Sequence, residues 1–348
     1  MISRLTLTNF RNHETLRIDA GGRNVVLSGP NGAGKTNVLE AASLLSGTPG
    51  FRRAQSEDLA RFAAPGYAVA AELESGGEIS VYWDEGMKRR KAKINGEAAA
   101  LGDLAKHISV VWLTPETDLL FVGAPSPRRA FFDNLAAGTN DAHLGRTQRL
   151  NKLLSERAFA LKNGRNDAWL SLLENNIASA AAAVADARVR FVAELNHFLS
   201  AGEIGISGLL EQRIINGDKA GDFEEFYRKY LAENRTLVAD RQTVDGAHRT
   251  DFSARDLGLG LPADKISSGQ QKLLLNRLII ASAKLMSARN PDKKLVILLD
   301  EADSHLDARA RGELFAELAA VGAQVWMTGV DAAAFADMPD SIAVRLGA

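Results

Sequence analysis

The 348-residue chain contains no cysteine. That excludes disulfides, thiolate metal sites and a cysteine nucleophile, and it suits a reducing compartment. An excess of one charge is missing too: 42 Lys+Arg stand against 43 Asp+Glu, a formal net charge of -1. No global positive field advertises a nucleic-acid binder, so any such contact has to be local. No window of roughly 18 residues is both apolar and uncharged, which excludes a membrane-spanning helix. The opening Met1-Ile2-Ser3-Arg4-Leu5-Thr6-Leu7-Thr8 alternates apolar and polar residues, which reads as a strand and not as a signal peptide. A soluble, cytoplasmic protein is expected, with about two domains or one domain carrying a large insertion.

What is present begins with two strands around a bend at Asn9-Phe10-Arg11-Asn12, then the short apolar strand Val25-Val26-Leu27. Gly29-Pro30-Asn31-Gly32-Ala33-Gly34-Lys35-Thr36 follows at once and fits G-x-x-x-x-G-K-T. A helical stripe of Val38, Leu39, Ala42 and Leu45 comes next. The strand–loop–helix context gives the octet its chemistry. Small residues let successive backbone N–H groups curl around phosphates. The helix start turns its positive dipole end toward the same anion. Lys35 adds a point charge, and the Thr36 hydroxyl reaches Mg²⁺. A nucleotide with Mg²⁺ is therefore expected, and ATP is the one that the resemblance given below implies.

Residues 67–113 read as short strands and turns, with Gly76-Gly77 and Asn95-Gly96 as turn signals. From about Pro127 to Glu233 the pattern is helical. Trp169, Leu172, Leu173, Ile177, Ala180, Val184, Ala187, Phe191, Leu195 and Phe198 recur every three or four residues. That predicts one continuous helix over roughly 167–199, on the order of 50 Å long. The last third returns to strand–helix alternation, which suggests a largely parallel sheet.

Leu295 to Leu299 is a buried-strand pattern ending in Asp300-Glu301. Either Asp300 at the strand end holds Mg²⁺ and Glu301 orients and deprotonates an attacking water, or the two acids belong to an ordinary exposed loop. Ile266-Ser267-Ser268-Gly269-Gln270 opens another amphipathic helix. It reads either as a second anion site or as an ordinary serine N-cap. Ala302-Asp303-Ser304-His305-Leu306-Asp307 follows Glu301.

Together these three segments resemble the Walker A, signature, and Walker B and D-loop set of the ABC-type ATPases. The resemblance implies an α/β, P-loop ABC-type head in which two heads sandwich two ATP molecules. Ser267, Ser268, Gly269, Gln270 and Asp307 join the nucleotide site, with Ser267 and Gly269 acting on the other head's ATP. The long interval between Lys35 and Ile266 resembles the SMC-like branch, with a helical arm inserted in the head. The domains expected are a head of residues 1–115 plus 240–348 and an arm of residues 116–239.

More narrowly, the chain resembles the RecF family. The resemblance is carried by Pro115-Glu116, by Gly123-Ala124-Pro125-Ser126-Pro127-Arg128-Arg129-Ala130-Phe131-Phe132-Asp133, by Leu298 through Asp307, by Asp240-Arg241-Gln242-Thr243 and by Gly246 through Asp251. It implies a slow, DNA-stimulated ATPase that dimerises on ATP, binds single- and double-stranded DNA at gaps, and acts in recombinational repair, fork restart, RecA loading and SOS induction. It implies RecR and RecO as partners and a nucleoid-associated location. Two departures stand out. Ile266 replaces the usual leucine, and Thr328-Gly329 stands where many such heads carry a switch histidine. The alternatives are an ABC transporter's ATPase subunit, against which the long arm argues, and another SMC-like ATPase with nuclease activity.

Several residues keep two readings. Lys88, Arg89, Arg90, Lys91 and Lys93 form the densest basic run and suit either DNA phosphates or a charged strand edge. Arg52-Arg53 is a weaker candidate of the same kind. Arg11 and Asn12 reach the nucleotide if their bend lies beside the loop; otherwise they are turn residues. Arg128 and Arg129 at a helix start call for an anionic partner, either Asp133 or Glu116 within the protein or, as the second reading, DNA. His248 reads as structural, and Trp83, Trp112, Trp169 and Trp326 read as packing.

Overall fold

The computed structural model describes residues 1–164, 166–236, 244–304 and 307–347. The Asp240–Thr243 stretch and the His305-Leu306 pair lie outside them. The chain divides into two compact units, Met1–Asp118 with Ser267–Ala348 and Leu119–Ile266. Among the described residues no helix is long and apolar enough to cross a membrane.

The first unit holds two sheets. β1 (Ile2–Phe10), β2 (His13–Asp19), β4 (Gly66–Leu73), β5 (Glu78–Asp84), β6 (Lys91–Ile94) and β7 (Glu97–Ala99) form an antiparallel sheet in the order β2-β1-β4-β5-β6-β7. The five-stranded sheet is parallel, in the order β14-β3-β13-β12-β8. Its strands are β3 (Asn24–Ser28), β8 (Ile108–Leu113), β12 (Lys294–Leu299), β13 (Gln324–Thr328) and β14 (Ser341–Arg345). The apolar runs of β3, β12 and β13 are buried nearly end to end, as strands covered on both faces must be. Val25, Leu27, Leu39, Val296, Leu298 and Trp326 share one core with Ile2, Leu5 and Leu7 of β1. One polar side chain ties the two sheets. Buried Gln324 accepts from Ile2 N at 2.8 Å and donates to Ile2 O at 2.9 Å and Arg23 O at 2.7 Å. The helices of this unit are α1 (Lys35–Leu44), α7 (Ser268–Arg289) and α8 (Ala308–Val321).

The second unit contains α2 (Pro125–Ala137), α3 (His143–Lys162), α4 (Asp167–Phe198), α5 (Leu209–Ile215) and α6 (Ala220–Glu233). A small antiparallel sheet joins them, with β10 (Asp251–Asp256) between β9 (Gly202–Ser207) and β11 (Leu261–Pro262). α4 is the long helix expected. It starts at the Asn166 cap, whose side chain accepts from Trp169 N at 2.9 Å. Leu173, Ile177, Ala181, Val184 and Leu195 form its buried stripe. Trp169, in the first turn of α4, is 49% exposed, at the edge of the packing and not in the core. Residues 244–266, expected in the head, fold with the arm unit. The cause is β10, which pairs with β9 from Asp251 opposite Ser207 to Asp256 opposite Gly202.

A buried polar network organises this unit. Arg188 of α4 donates from Nε and Nη2 to the two carboxylate oxygens of Asp133, each at 2.9 Å, and His143 Nε2 lies 2.8 Å from Asp133 Oδ1. Arg128 is bidentate on Asp251 at 2.7 and 2.9 Å, and Arg129 donates to Thr250 O at 3.0 Å. The partner of the helix-start arginines is therefore the segment near residue 250, not Asp133 or Glu116. The anion those arginines require comes from sequence far away, where no local spacing points.

Burial alone would push the Asp133 carboxyl up, but the hydrogen bonds from His143 and Arg188 outweigh it and hold it at about 2. A carboxylate depressed in this way contributes stability that is full above its unfolded pKa of about 4 and is lost as pH falls through about 2. The linked contribution is roughly 2 kcal/mol. Urea unfolding of wild type and Asp133→Asn between about pH 5 and 2 should show the gap between them shrinking by that amount. A gap that is constant with pH would contradict it.

Candidate nucleotide site

The octet closes on itself as its spacing requires. Gly29 follows β3 with φ 140°, and a Cβ there would collide with the Leu346 carbonyl. Gly34 is the N-cap of α1 with φ 92° and no side-chain cap. A Cβ on it would fall 2.5 Å from Asn12 Nδ2 and from His13 Nε2. The bend after β1 thus packs against the loop, and only glycine lets it. The uncapped N-terminus of α1 leaves the positive dipole end open to an anion. Lys35 Nζ donates to Gly29 O at 2.7 Å and Pro30 O at 3.0 Å, arching over the loop.

The second half arrives from the end of β12. Buried Asp300 accepts from Thr36 Oγ1 at 3.0 Å and from Thr328 Oγ1 at 2.7 Å, both on Oδ1. Glu301 stands in the left-handed region at φ 52°, uncommon for a residue with a side chain. Its amide is held by Thr328 Oγ1 at 2.8 Å. A cavity of about 580 Å³ lies between these halves. Asn31, Gly32, Gly34, Lys35, Thr36 and Glu301 line it, with Asn37, Arg52, Asp303, Ser304, Thr328 and Gly329.

The other expected residues lie elsewhere. Arg11 is not on the cavity wall: it donates to both oxygens of Glu40 at 2.9 and 2.7 Å and to Asp58 O at 2.8 Å. Asn12 accepts from Asn37 Nδ2 at 2.8 Å. Ser267 caps α7 in a reciprocal box, accepting from Gln270 N at 3.4 Å while Gln270 Oε1 accepts from Ser267 N at 2.9 Å. Ser267 and Ser268 are exposed, and neither they nor Gly269 and Gln270 line the cavity of their own chain. Asp307 caps α8, accepting from Ala310 N at 2.8 Å. In the basic run, Lys88, Arg89, Lys91 and Lys93 are exposed on the β5–β6 hairpin, while Arg90 is half-buried and donates to Pro49 O at 3.3 Å.

Three groups are not legible as site residues in the sequence. Glu40 is a buried carboxylate within the apolar stripe of α1, and it also accepts from Arg52 at 3.1 Å. Only its charge among Val38, Leu39, Ala41 and Ala42 signals it. Arg52, a candidate surface cation for DNA by its sequence, lines the cavity instead. Thr328 is conspicuous in the sequence for the missing histidine, not for its own hydroxyl.

The family model for the RecF/RecN/SMC N terminal domain matches residues 1–347. The "DNA replication and repair protein RecF" of Mesorhizobium japonicum is 39% identical, with 97% of this chain and 93% of that protein covered. The protein of the same name from Rhizobium rhizogenes is 40% identical, over 96% of this chain and 93% of that protein. Among solved structures, the recombination mediator protein RecF-ATPrS of the RecFOR pathway superposes with a TM-score of 0.86 at 22% identity, covering 100% of this chain and 96% of that one. An SMC head bound to the C-winged helix domain of ScpA superposes at 0.54 and 15% identity, covering 99% and 94%. The chain belongs to the RecF family of DNA replication and repair proteins, within the RecF/RecN/SMC group of ATPase heads.

Proposed function

We propose that the protein is an ATP-dependent DNA-binding mediator of recombinational repair: it binds ATP with Mg²⁺, pairs head to head with a second copy, grips DNA at gaps and lets go on hydrolysis. The observation that carries the reading is one cavity lined by Asn31, Gly32, Gly34, Lys35, Thr36 and Glu301, with Thr36 hydrogen-bonded to buried Asp300 behind it. Lys35 and the α1 amides would bind the phosphates. Glu301 would orient the attacking water and take its proton.

The donors fit a magnesium ion bound mostly by phosphate and water: one hydroxyl from Thr36, one carboxylate from Asp300, and among the described residues no cage of three or more acidic or imidazole ligands. When bound, Mg²⁺ would neutralise charge on the phosphates. Exposed Ser267 and half-buried Gly269, which line no part of their own chain's cavity, suit a partner's nucleotide. Turnover is expected to be slow and DNA-stimulated. The relatives' name and the neighbour's place in the RecFOR pathway support roles in replication and recombinational repair; RecR and RecO are the partners proposed, and SOS induction the wider role.

DNA affinity measured with and without ATP across a salt series tests this. Tighter binding with ATP is expected; equal affinity in both states would reject an ATP-gated grip. Neutralising Lys88, Arg89, Lys91 and Lys93 together should flatten the slope of log affinity against log salt by about 0.9 for each DNA phosphate no longer neutralised. An unchanged slope would assign the hairpin to edge protection.

A further inference from the structure

We infer that Thr328 is a positioning residue of the hydrolytic site: its hydroxyl fixes both Asp300 and Glu301, standing in for the side chain that the following position cannot hold. The inference rests on reading the cavity as an ATPase site.

A threonine hydroxyl has one proton. Asp300 Oδ1 at 2.7 Å is a carboxylate acceptor, so the proton points there. The lone pairs then receive the Glu301 amide at 2.8 Å. One buried atom thereby sets the direction of two adjacent acidic residues. Thr36 donates to the same Oδ1 from the loop side at 3.0 Å, so the carboxylate is clamped between the two halves of the site. The Thr328 carbonyl also accepts from Ala302 N at 3.1 Å, which brackets Glu301 on its other side. Glu301 needs this, because its left-handed backbone is strained and persists only where neighbours determine it.

Position 329 cannot supply an equivalent group. A Cβ on Gly329 would stand 2.6 Å from Phe335 Cζ and 3.0 Å from Asp303 Oδ2, while its amide is tied to Leu27 O at 3.1 Å. The Phe335 ring, fully buried and stacked on Phe315, closes the space. Polar control at the end of β13 thus falls to Thr328.

The test compares Thr328→Val, which keeps the shape without the hydroxyl, with Thr328→Ser, which keeps the hydroxyl alone. ATP-Mg²⁺ binding and single-turnover hydrolysis are measured on the full chain with DNA. Thr328→Val should bind ATP within about threefold of wild type yet hydrolyse roughly ten- to a hundredfold more slowly, the scale expected when a catalytic group is misplaced. Thr328→Ser should restore most of the rate. Three results would overturn the inference: a Thr328→Val rate equal to wild type, a Thr328→Ser rate as low as that of Thr328→Val, or loss of ATP binding in Thr328→Val, which would make the residue scaffold. A wild-type protein that binds ATP but never hydrolyses it would instead sink the ATPase reading itself.

Discussion

Glu301→Gln should stop ATP hydrolysis while leaving ATP binding in place, and the protein should accumulate as an ATP-bound dimer. Glutamine has the same length and makes the same demand on the backbone, so the bond from its amide to Thr328 survives. What disappears is a group able to take a proton from water. Loss of a positioned general base costs about 10²–10⁴-fold in rate. If nucleotide is the glue between two heads, a nucleotide that is not cleaved holds them. Light scattering of the variant with saturating ATP-Mg²⁺ should report a mass twice that of the ADP form. A variant that stays monomeric would refute the sandwich arrangement, and one that hydrolyses at the wild-type rate would remove Glu301 from the chemistry.

Lys35→Met acts one step earlier, on binding. The ammonium bridges Gly29 O and Pro30 O, so it both shapes the loop and presents charge to the phosphates. Methionine fills similar space with no donor. A charge-assisted hydrogen bond from the ammonium to a phosphate oxygen would be worth about 1.5–3 kcal/mol, so its loss should weaken ATP binding by roughly ten- to a hundredfold. Equilibrium binding of a fluorescent ATP analogue would check it. Retained affinity would mean that the backbone amides alone hold the nucleotide.

The elements that spacing reveals are those whose causes are local. The octet, the buried run before Asp300 and the 3.6-residue stripe of α4 each carry their geometry within a few neighbouring residues. The pairing of Asp300 with Thr36 and Thr328 joins three segments remote in sequence. It is legible only where a motif already links two of them, and the Thr328 hydroxyl has no motif. Glu40 is hidden for a related reason: its counter-charges, Arg11 and Arg52, come from loops on either side of α1. The reassignment of residues 244–266 has the same origin. A β10 pattern in sequence does not say which strand it will pair with, and β9 lies on the far side of α5 and α6.

The strand order of the parallel sheet governs when the protein acquires its site during synthesis. The loop is made early, but β3, which carries it, lies between β13 and β14, the last strands of the chain. At about 5–20 residues per second, the phosphate loop waits roughly 15–60 s on the ribosome before its sheet exists. The arm unit is one continuous stretch, Leu119–Ile266, and is synthesised whole before β12 is translated. A chain cut short before β13 lacks both strands that flank β3, and with them the Thr328 hydroxyl that holds Asp300 and Glu301.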